Sequence, residues 1–262
     1  MGKIKRIRHI LKLRPNIWKT IWFNFKVFPV HEAVKIPVVL FGKIRIEGVR
    51  RGCIKLTHPE MAVGGVRIGG GWQTEMYGYA QLYPSFLKIE GTIELGQDVI
   101  INNGCLLTIN KNALLRIGNN FRANTGLRLV AKERIDIGDD CRVGWDCQIM
   151  DTSFHYTISK GQISQRYNPI LLGHNTWLAN GVTVLKGTML PAYSVVGAKS
   201  LVNKDYTEYG EKCLFAGTPA KFKYCGIQRI LGYEYEQLID TCFTDGKEYI
   251  SEEDFEKLVK GK

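Results

Sequence analysis

The sequence predicts an all-β solenoid of short strands wound three to a coil, with a helical segment before it and helices after it. Three observations predict this. Between Leu172 and Thr207 an aliphatic residue returns at every sixth position: Leu172, Leu178, Val184, Leu190, Val196 and Val202. An α-helix repeats its apolar stripe about every 3.6 residues and a half-buried strand roughly every 2, so a period of six fits neither. It fits a prism whose flat faces each carry a short strand and one buried aliphatic residue. Three hexads close one coil, so this run is two coils. The same rhythm precedes it at Leu95, Ile101 and Leu107, then Ile117, Ala123 and Leu129, then Ile137, Val143 and Ile149. Finally, the chain carries 28 glycines, which suits a backbone that turns a corner every few residues.

Taken in order, residues 1–37 read as a basic amphipathic segment. Trp18, Ile21, Trp22 and Phe25 fall on one face of a helix. Pro15 suits its start and Pro29 stops its continuation. Two readings of that face stay open: it lies on an anionic membrane surface, or it packs on the first coil as a cap, which solenoids need. A nucleic-acid arm is disfavoured, since no binding motif accompanies it. Residues 38–207 read as the solenoid. It opens irregularly, with strands around Ile44–Ile46 and Ile54–Leu56 and turns at Gly64-Gly65 and Gly69-Gly70-Gly71. Spacings of 22 residues (Leu95 to Ile117) and 20 (Ile117 to Ile137) imply 18-residue coils with small bulges at a corner. Ile137 to Leu172 is 35 residues, an insertion of 17 beyond such a coil. The register places it as a protruding loop at about 151–170, and such loops are where function concentrates. Residues 208–262 read as a C-terminal extension, with a helix around Ile230 to Cys242 and a second from Ser251, where Ser251-Glu-Glu-Asp254 resembles a capping box. A cap over the last coil is its simplest role.

Composition narrows the class. The chain has 262 residues, 45% of them hydrophobic, enough for a substantial core. Of the net charge of +11, residues 1–31 supply eight cations (Lys3, Lys5, Arg6, Arg8, Lys12, Arg14, Lys19 and Lys26) and no acid. The seven cysteines are scattered without a CxxC, and no secretory leader is visible, so all are read as free thiols of a cytoplasmic protein, several of them buried. No apolar stretch reaches the roughly 18 residues of a membrane span.

Four motifs stand in order along the second half: Asp151-Thr-Ser-Phe-His155, the run LLGHNTWLANGVTVLKG from Leu171, VVGAKSLVNKD from Val195 to Asp205, and AGTPAK from Ala216 to Lys221. As a set they resemble the hexapeptide-repeat acyltransferases over about residues 90–225, most closely the sugar O-acetyltransferases of surface-polysaccharide synthesis. The resemblance implies a left-handed parallel β-helix, acetyl-CoA as co-substrate, no metal, and a homotrimer whose active sites lie between subunits. It places the catalytic histidine at His155. Asp151 is expected to orient the imidazole, to hold the sugar, or only to shape the turn. By the same resemblance Ala179, Asn180, Ala198, Asn203, Lys204 and Lys221 contact coenzyme A, with Lys223 a further candidate. The chain departs from the family at Trp177-Leu-Ala-Asn180, which puts the oxyanion contacts in doubt. Arg166 and Tyr167 are expected to read the acceptor.

Elementary chemistry points the same way. A thioester is already reactive; a sugar hydroxyl is not, so a positioned base must take its proton. Histidine is the side chain suited to that near neutral pH. His174 falls on an outward position and is read as solvated. A zinc enzyme on the same fold would need three histidines, and only His155 and His174 lie in the coils, at the wrong spacing. N-acetylation of an amino sugar, acetylation of an antibiotic, or a non-catalytic scaffold remain alternatives; the last would not need the long loop.

Overall fold

The computed structural model describes residues 2–70, 83–230, 232–243 and 248–260. Gly71 and Leu231, which belong to a turn and a helix expected above, lie outside the described residues. The chain divides into two units, 1–227 and 228–262.

In the first unit three sheets are built from every third strand. The first face stacks Val38–Leu40, Val66–Ile68, Val99–Ile101, Arg122–Ala123, Arg142–Val143, Trp177–Leu178, Val195–Val196 and Cys213–Gly217. The second runs from Ile44–Glu47 through Ser85–Ile89, Leu106–Ile109, Arg128–Ala131, Gln148–Met150 and Thr183–Leu185 to Leu201–Val202. The third runs from Ile54–Leu56 through Thr92–Leu95, Leu114–Ile117, Arg134–Ile137 and Ile170–Leu172 to Met189–Leu190. All these pairings are parallel, so each coil hydrogen-bonds the next.

The hexad residues land on one another. Leu95, Ile117, Ile137, Leu172 and Leu190 are successive partners on the third face. Ile101, Ala123, Val143, Leu178 and Val196 are partners on the first, and Leu107, Leu129, Ile149, Val184 and Val202 on the second. None of the fifteen is more than 3% exposed. Each large member contributes on the order of 1.5–3 kcal/mol by leaving water.

The corners repeat as the faces do. Asp98, Asn120, Asp140, Asn175, Tyr193 and Lys212 all hold φ between 51° and 59° at the corner leading into the first face. Asp and Asn tolerate that left-handed conformation better than other side chains, which accounts for four of the six. Coil-to-coil approach there is tight: a Cβ on Gly118 would lie 2.7 Å from the Asp139 nitrogen. Corner side chains extend the stack. Asn119 Oδ1 accepts the Gln97 N–H, Asp139 Oδ1 the Asn119 N–H, and His174 Nδ1 the Asp139 N–H at 3.0 Å. His174 is thus an exposed corner residue that ties two coils.

Helix α1 spans Lys3–Lys12 and α2 spans Ile17–Val27, capped by Asn16, whose side chain accepts the Lys19 N–H. A short helix, α3, covers Val30–Ala33. The inward face of α2 is Thr20, Phe23, Asn24 and Val27. It closes the open edge of Val38–Leu40 with side chains. Asn24 donates to the Val38 carbonyl at 2.7 Å and accepts the Val38 N–H at 3.1 Å, while Thr20 Oγ1 accepts the Leu40 N–H at 3.0 Å. Of the two readings left open for the face of Trp18, Ile21, Trp22 and Phe25, packing on the first coil is the one the structure does not show. They do share a face, but it points outward, each at least 40% exposed. An edge strand needs hydrogen-bond partners, which Asn and Thr supply and Trp and Phe do not.

After the last coil Cys213–Gly217 turns back antiparallel against Ala220–Cys225. That register sets Cys213 opposite Cys225, Cα atoms 4.0 Å apart, and the two form a disulfide. The reading of all seven cysteines as free thiols is corrected for this pair, because the hairpin pairing was not visible in the spacing. Cys53, Cys105, Cys141 and Cys147 are free and buried, and burial pushes the Cys141 thiol up to about 12.

In the second unit α4, Tyr233–Asp240, and α5, Glu252–Lys260, are joined by Tyr235 packing edge-on against Phe255. Ser251 Oγ accepts the Asp254 N–H at 3.0 Å, as the capping box requires.

Leu129 sits between Leu107 and Ile149, fully buried. Leu129→Ala is expected to cost about 2–5 kcal/mol, read as a lowered urea midpoint. A loss no larger than that of an exposed control such as Ile163→Ala would refute the column as the stabilising element.

Candidate active site

The long insertion leaves the solenoid between Gln148–Met150 and Ile170–Leu172, at the corner from the second face to the third. The column is not disturbed by it, since Ile137 pairs with Leu172 across the gap. Inside the loop Ile158–Ser159 and Gln162–Ile163 form an antiparallel hairpin. Lys160 and Gly161 turn it with φ of 50° and 74°, the turn geometry that matches strand twist.

Asp151 roots the loop. It is fully buried, and its carboxylate accepts the N–H groups of Lys132, Glu133 and Arg134 at 2.7, 2.8 and 2.8 Å, all from the corner of the preceding coil. Of the roles expected for Asp151, the structure supports shaping the turn. An acceptor sugar cannot reach a buried carboxylate already holding three donors, and among the described residues it makes no hydrogen bond to His155. Thr152 bridges Tyr167, and Ser153 donates its N–H to the Arg166 carbonyl at 3.0 Å, so the two loop ends are tied together.

His155 lies just beyond this root and is exposed. Its backbone is fixed, with N–H to the Ser153 carbonyl at 2.7 Å and its carbonyl accepting from Ser153 Oγ at 3.2 Å. Among the described residues its imidazole has no hydrogen-bond or ion-pair partner, so the ring is held out on a braced stem. Arg166 is part of the brace. Its guanidinium lies over the rings of both Tyr156 and Tyr167, 4.6 and 4.7 Å from their centroids. Lys186, one coil on, donates to the Gln165 carbonyl.

Ala179, Asn180 and Ala198 occupy a different corner, from the first face to the second. Ala179 donates its N–H to the Val196 carbonyl at 3.0 Å, and Lys199 to the Asn180 carbonyl at 2.9 Å, so these residues stack in successive coils. Ala198 is exposed. Lys221 also reaches this side, paired with Ala216, whose Cβ lies against Gly197. The Asn180 side chain is engaged with the preceding coil. Its Oδ1 accepts the Trp145 N–H at 3.2 Å, and a Cβ on Gly144 would lie 2.5 Å from that oxygen. The unusual Asn180 is thus a tie between coils.

Asn203 and Lys204 do not join that group. They sit at the corner that carries the loop, where the Lys204 carbonyl accepts the Met189 N–H at 3.2 Å. The Lys204 ammonium lies over the Tyr206 and Tyr209 rings and pairs with Glu208 at 3.7 Å. Within one chain, then, the His155 loop and the Ala179–Ala198 edge stand on two corners, separated by a strand of the second face. From Cys147 to Asp151 that is four steps, about 13 Å at roughly 3.3 Å each. Two neighbours at the small-residue corner were missed: Trp145, 35 residues before Asn180 and so one coil earlier, and Lys199, whose side chain covers Gly181. The coil register, applied to the corners as well as the faces, would have found them. Among the described residues no group of three or more His, Cys, Asp or Glu could hold a metal ion.

Known proteins share parts of this sequence and the coiled fold. No protein-family model matches the chain. It is 28% identical over 142 residues to the galactoside O-acetyltransferase of Escherichia coli (strain K12), covering 51% of this chain and 68% of that one. It is 29% identical over 113 residues to the polysialic acid O-acetyltransferase of Neisseria meningitidis, covering 41% of this chain and 52% of that one. Among solved structures, the polySia-specific acetyltransferase NeuO superposes with a TM-score of 0.50 at 17% identity, over 82% of this chain and 91% of that one, a likeness of fold. The chain is an acyltransferase, similar to the O-acetyltransferases of sugars and polysaccharides.

Burial pushes the Asp151 carboxyl up from the ordinary aspartate range, against the downward pull of its three N–H donors. A raised folded-state value favours the neutral acid. The contribution of Asp151 to stability is then fully present below its unfolded value, about 3.9, and is lost as pH rises through the folded value. The unfolding free energy of wild type minus that of Asp151→Asn is expected to fall with rising pH in urea titrations. A difference that grows instead would mean that the N–H donors outweigh burial.

Proposed function

We propose that the chain transfers an acetyl group from acetyl-CoA to a hydroxyl of a sugar or surface-glycan precursor, with His155 as the general base. The scaffold in this reading is a left-handed parallel β-helix, and the working unit is a trimer. The observation that carries the reading is the exposed His155 imidazole on a loop braced at both ends, in a chain whose relatives are O-acetyltransferases of sugars.

Acetyl-CoA supplies an activated acyl group when bound. The first-to-second-face corner fits it, because Ala179 and Ala198 are small residues there, Trp145 and the Lys199 side chain flank them, and the exposed Lys221 and Lys223 stand on the hairpin beyond. His155 accepts the proton of the acceptor hydroxyl as that oxygen attacks the thioester carbonyl and gives it to the leaving sulfur as the C–S bond breaks, so that the ester and free coenzyme A thiol are released. A neutral imidazole near pH 7 is suited to that transfer. Asp151 acts through position: it holds the corner from which the loop springs. Arg166 and Tyr167 keep the loop rigid, and the exposed side of Tyr156 beside them offers an aromatic face to the acceptor.

The separation of the two corners supports a site assembled between chains, in which His155 of one subunit meets the Ala179–Ala198 edge of its neighbour. A closed threefold assembly lets every subunit give and receive one such edge.

His155→Ala is expected to keep the fold and the affinity for coenzyme A while lowering acetyl transfer about a hundredfold or more. Mass spectrometry of products from sugar acceptors is the readout. Full transfer by the variant removes the base from the mechanism, and products acetylated on amines alone remove the hydroxyl acceptor. Ala198→Trp should instead weaken coenzyme A binding in calorimetry at an unchanged melting temperature. Mixing the two inactive variants through partial denaturation and refolding should restore some activity, because a hybrid can place an intact His155 loop beside an intact edge. No recovery from hybrids of verified composition would favour a site within one chain.

A further inference from the structure

We propose that the N-terminal end of the first unit docks on an anionic lipid surface through the outward face of α2. Packing and charge at that end carry the proposal, independently of the reaction proposed above.

The outward face is unusually apolar. Trp18 is 84% exposed, Trp22 48%, and Ile21 and Phe25 40% each. The helix does not need this face for its own fold, since Thr20, Phe23, Asn24 and Val27 already join it to the first coil. The apolar surface continues into a groove of about 1020 Å³ between α1, α2 and the segment following α3, lined by Ile7, Ile10, Leu11, Ile17, Ile21 and Val34. Contiguous apolar surface of this kind marks an interaction site.

The charge around it selects the occupant. Residues 1–31 contain no acid. Two of the cations are committed to the fold: Arg6 pairs with Asp98 at 2.9 Å, and Lys19 donates to the Ile44 carbonyl. Lys5, Arg8, Lys12, Arg14 and Lys26 are exposed and have no ion-pair partner among the described residues. A second copy meeting this face with its own copy of it would bring two such cationic sets together without a counter-charge. An anionic headgroup layer neutralises them while the Trp and Phe rings enter the boundary with the acyl chains, which is how interfacial helices bind. No helix among the described residues is long and apolar enough to cross a membrane. Trp18 and Trp22 suit that depth, having apolar rings and a polar N–H.

The test uses the full chain and vesicles of phosphatidylcholine alone or mixed with phosphatidylglycerol, at low and high salt, read by co-sedimentation. Wild type is expected to bind the anionic vesicles at least roughly tenfold more tightly than the neutral ones, and to lose most of that preference at high salt. Trp18→Ala/Trp22→Ala/Phe25→Ala should abolish the binding with its melting temperature and solution acetyl transfer unchanged. Lys12→Glu/Arg14→Glu should remove the preference for anionic lipid. Equal sedimentation of wild type and the triple alanine variant would overturn the proposal. So would a triple variant whose change is a smaller oligomer by light scattering, since the face would then belong to a second copy.

Discussion

Each coil of this protein is held by the backbone of the next, and that pairing demands register. A parallel ladder gives every N–H and C=O on a face a partner one coil away, but only while the buried residue of each hexad lands on its predecessor. Ile137 over Ile117 and Leu172 over Ile137 are the visible consequence. A one-residue slip would turn a face inside out and expose the whole column. Insertions are therefore confined to corners, and a loop that leaves a corner must return to the next face in phase. The loop that carries His155 does so, which is why a long excursion costs the core nothing.

The same demand makes the two ends of the stack special. A coil with no neighbour presents unpaired strand edges. At the start, α2 meets the edge with polar side chains, Asn24 and Thr20 standing in for a missing strand. At the other end of the coils the chain folds back on itself, and Cys213–Gly217 finds its partner in Ala220–Cys225, with Tyr206 and Phe215 buried together behind it. These are different solutions to one problem. The first has the further effect of turning the aromatic side of the helix out to solvent.

The candidate groups stand at corners because the faces have no freedom to hold them. One corner carries a projecting loop anchored by the buried Asp151 carboxyl, another the small residues Ala179 and Ala198 in successive coils. Their separation along one coil is fixed by strand length, which no side-chain choice can shorten. A chemistry that needs both corners must bring a second chain to the first.

The sequence by itself determined the repeat. Leu172, Leu178 and Val184 announce the faces because a period of six belongs to no simpler element, and the 35-residue step from Ile137 announces the loop because register must resume after it. Those features are local and periodic, so they survive in one dimension. Tertiary structure alone decided what depends on neighbours a coil or more away. It turned Asp151 into the root of a loop by supplying three N–H donors from residues 132–134, and made Asn180 a tie to Trp145. It set Lys204 on the tyrosines of the loop-bearing corner, apart from Ala198. It joined Cys213 to Cys225 through a hairpin register. It also chose which face of α2 is buried, since an amphipathic pattern gives two faces but only an unpaired strand edge shows which of them the fold requires.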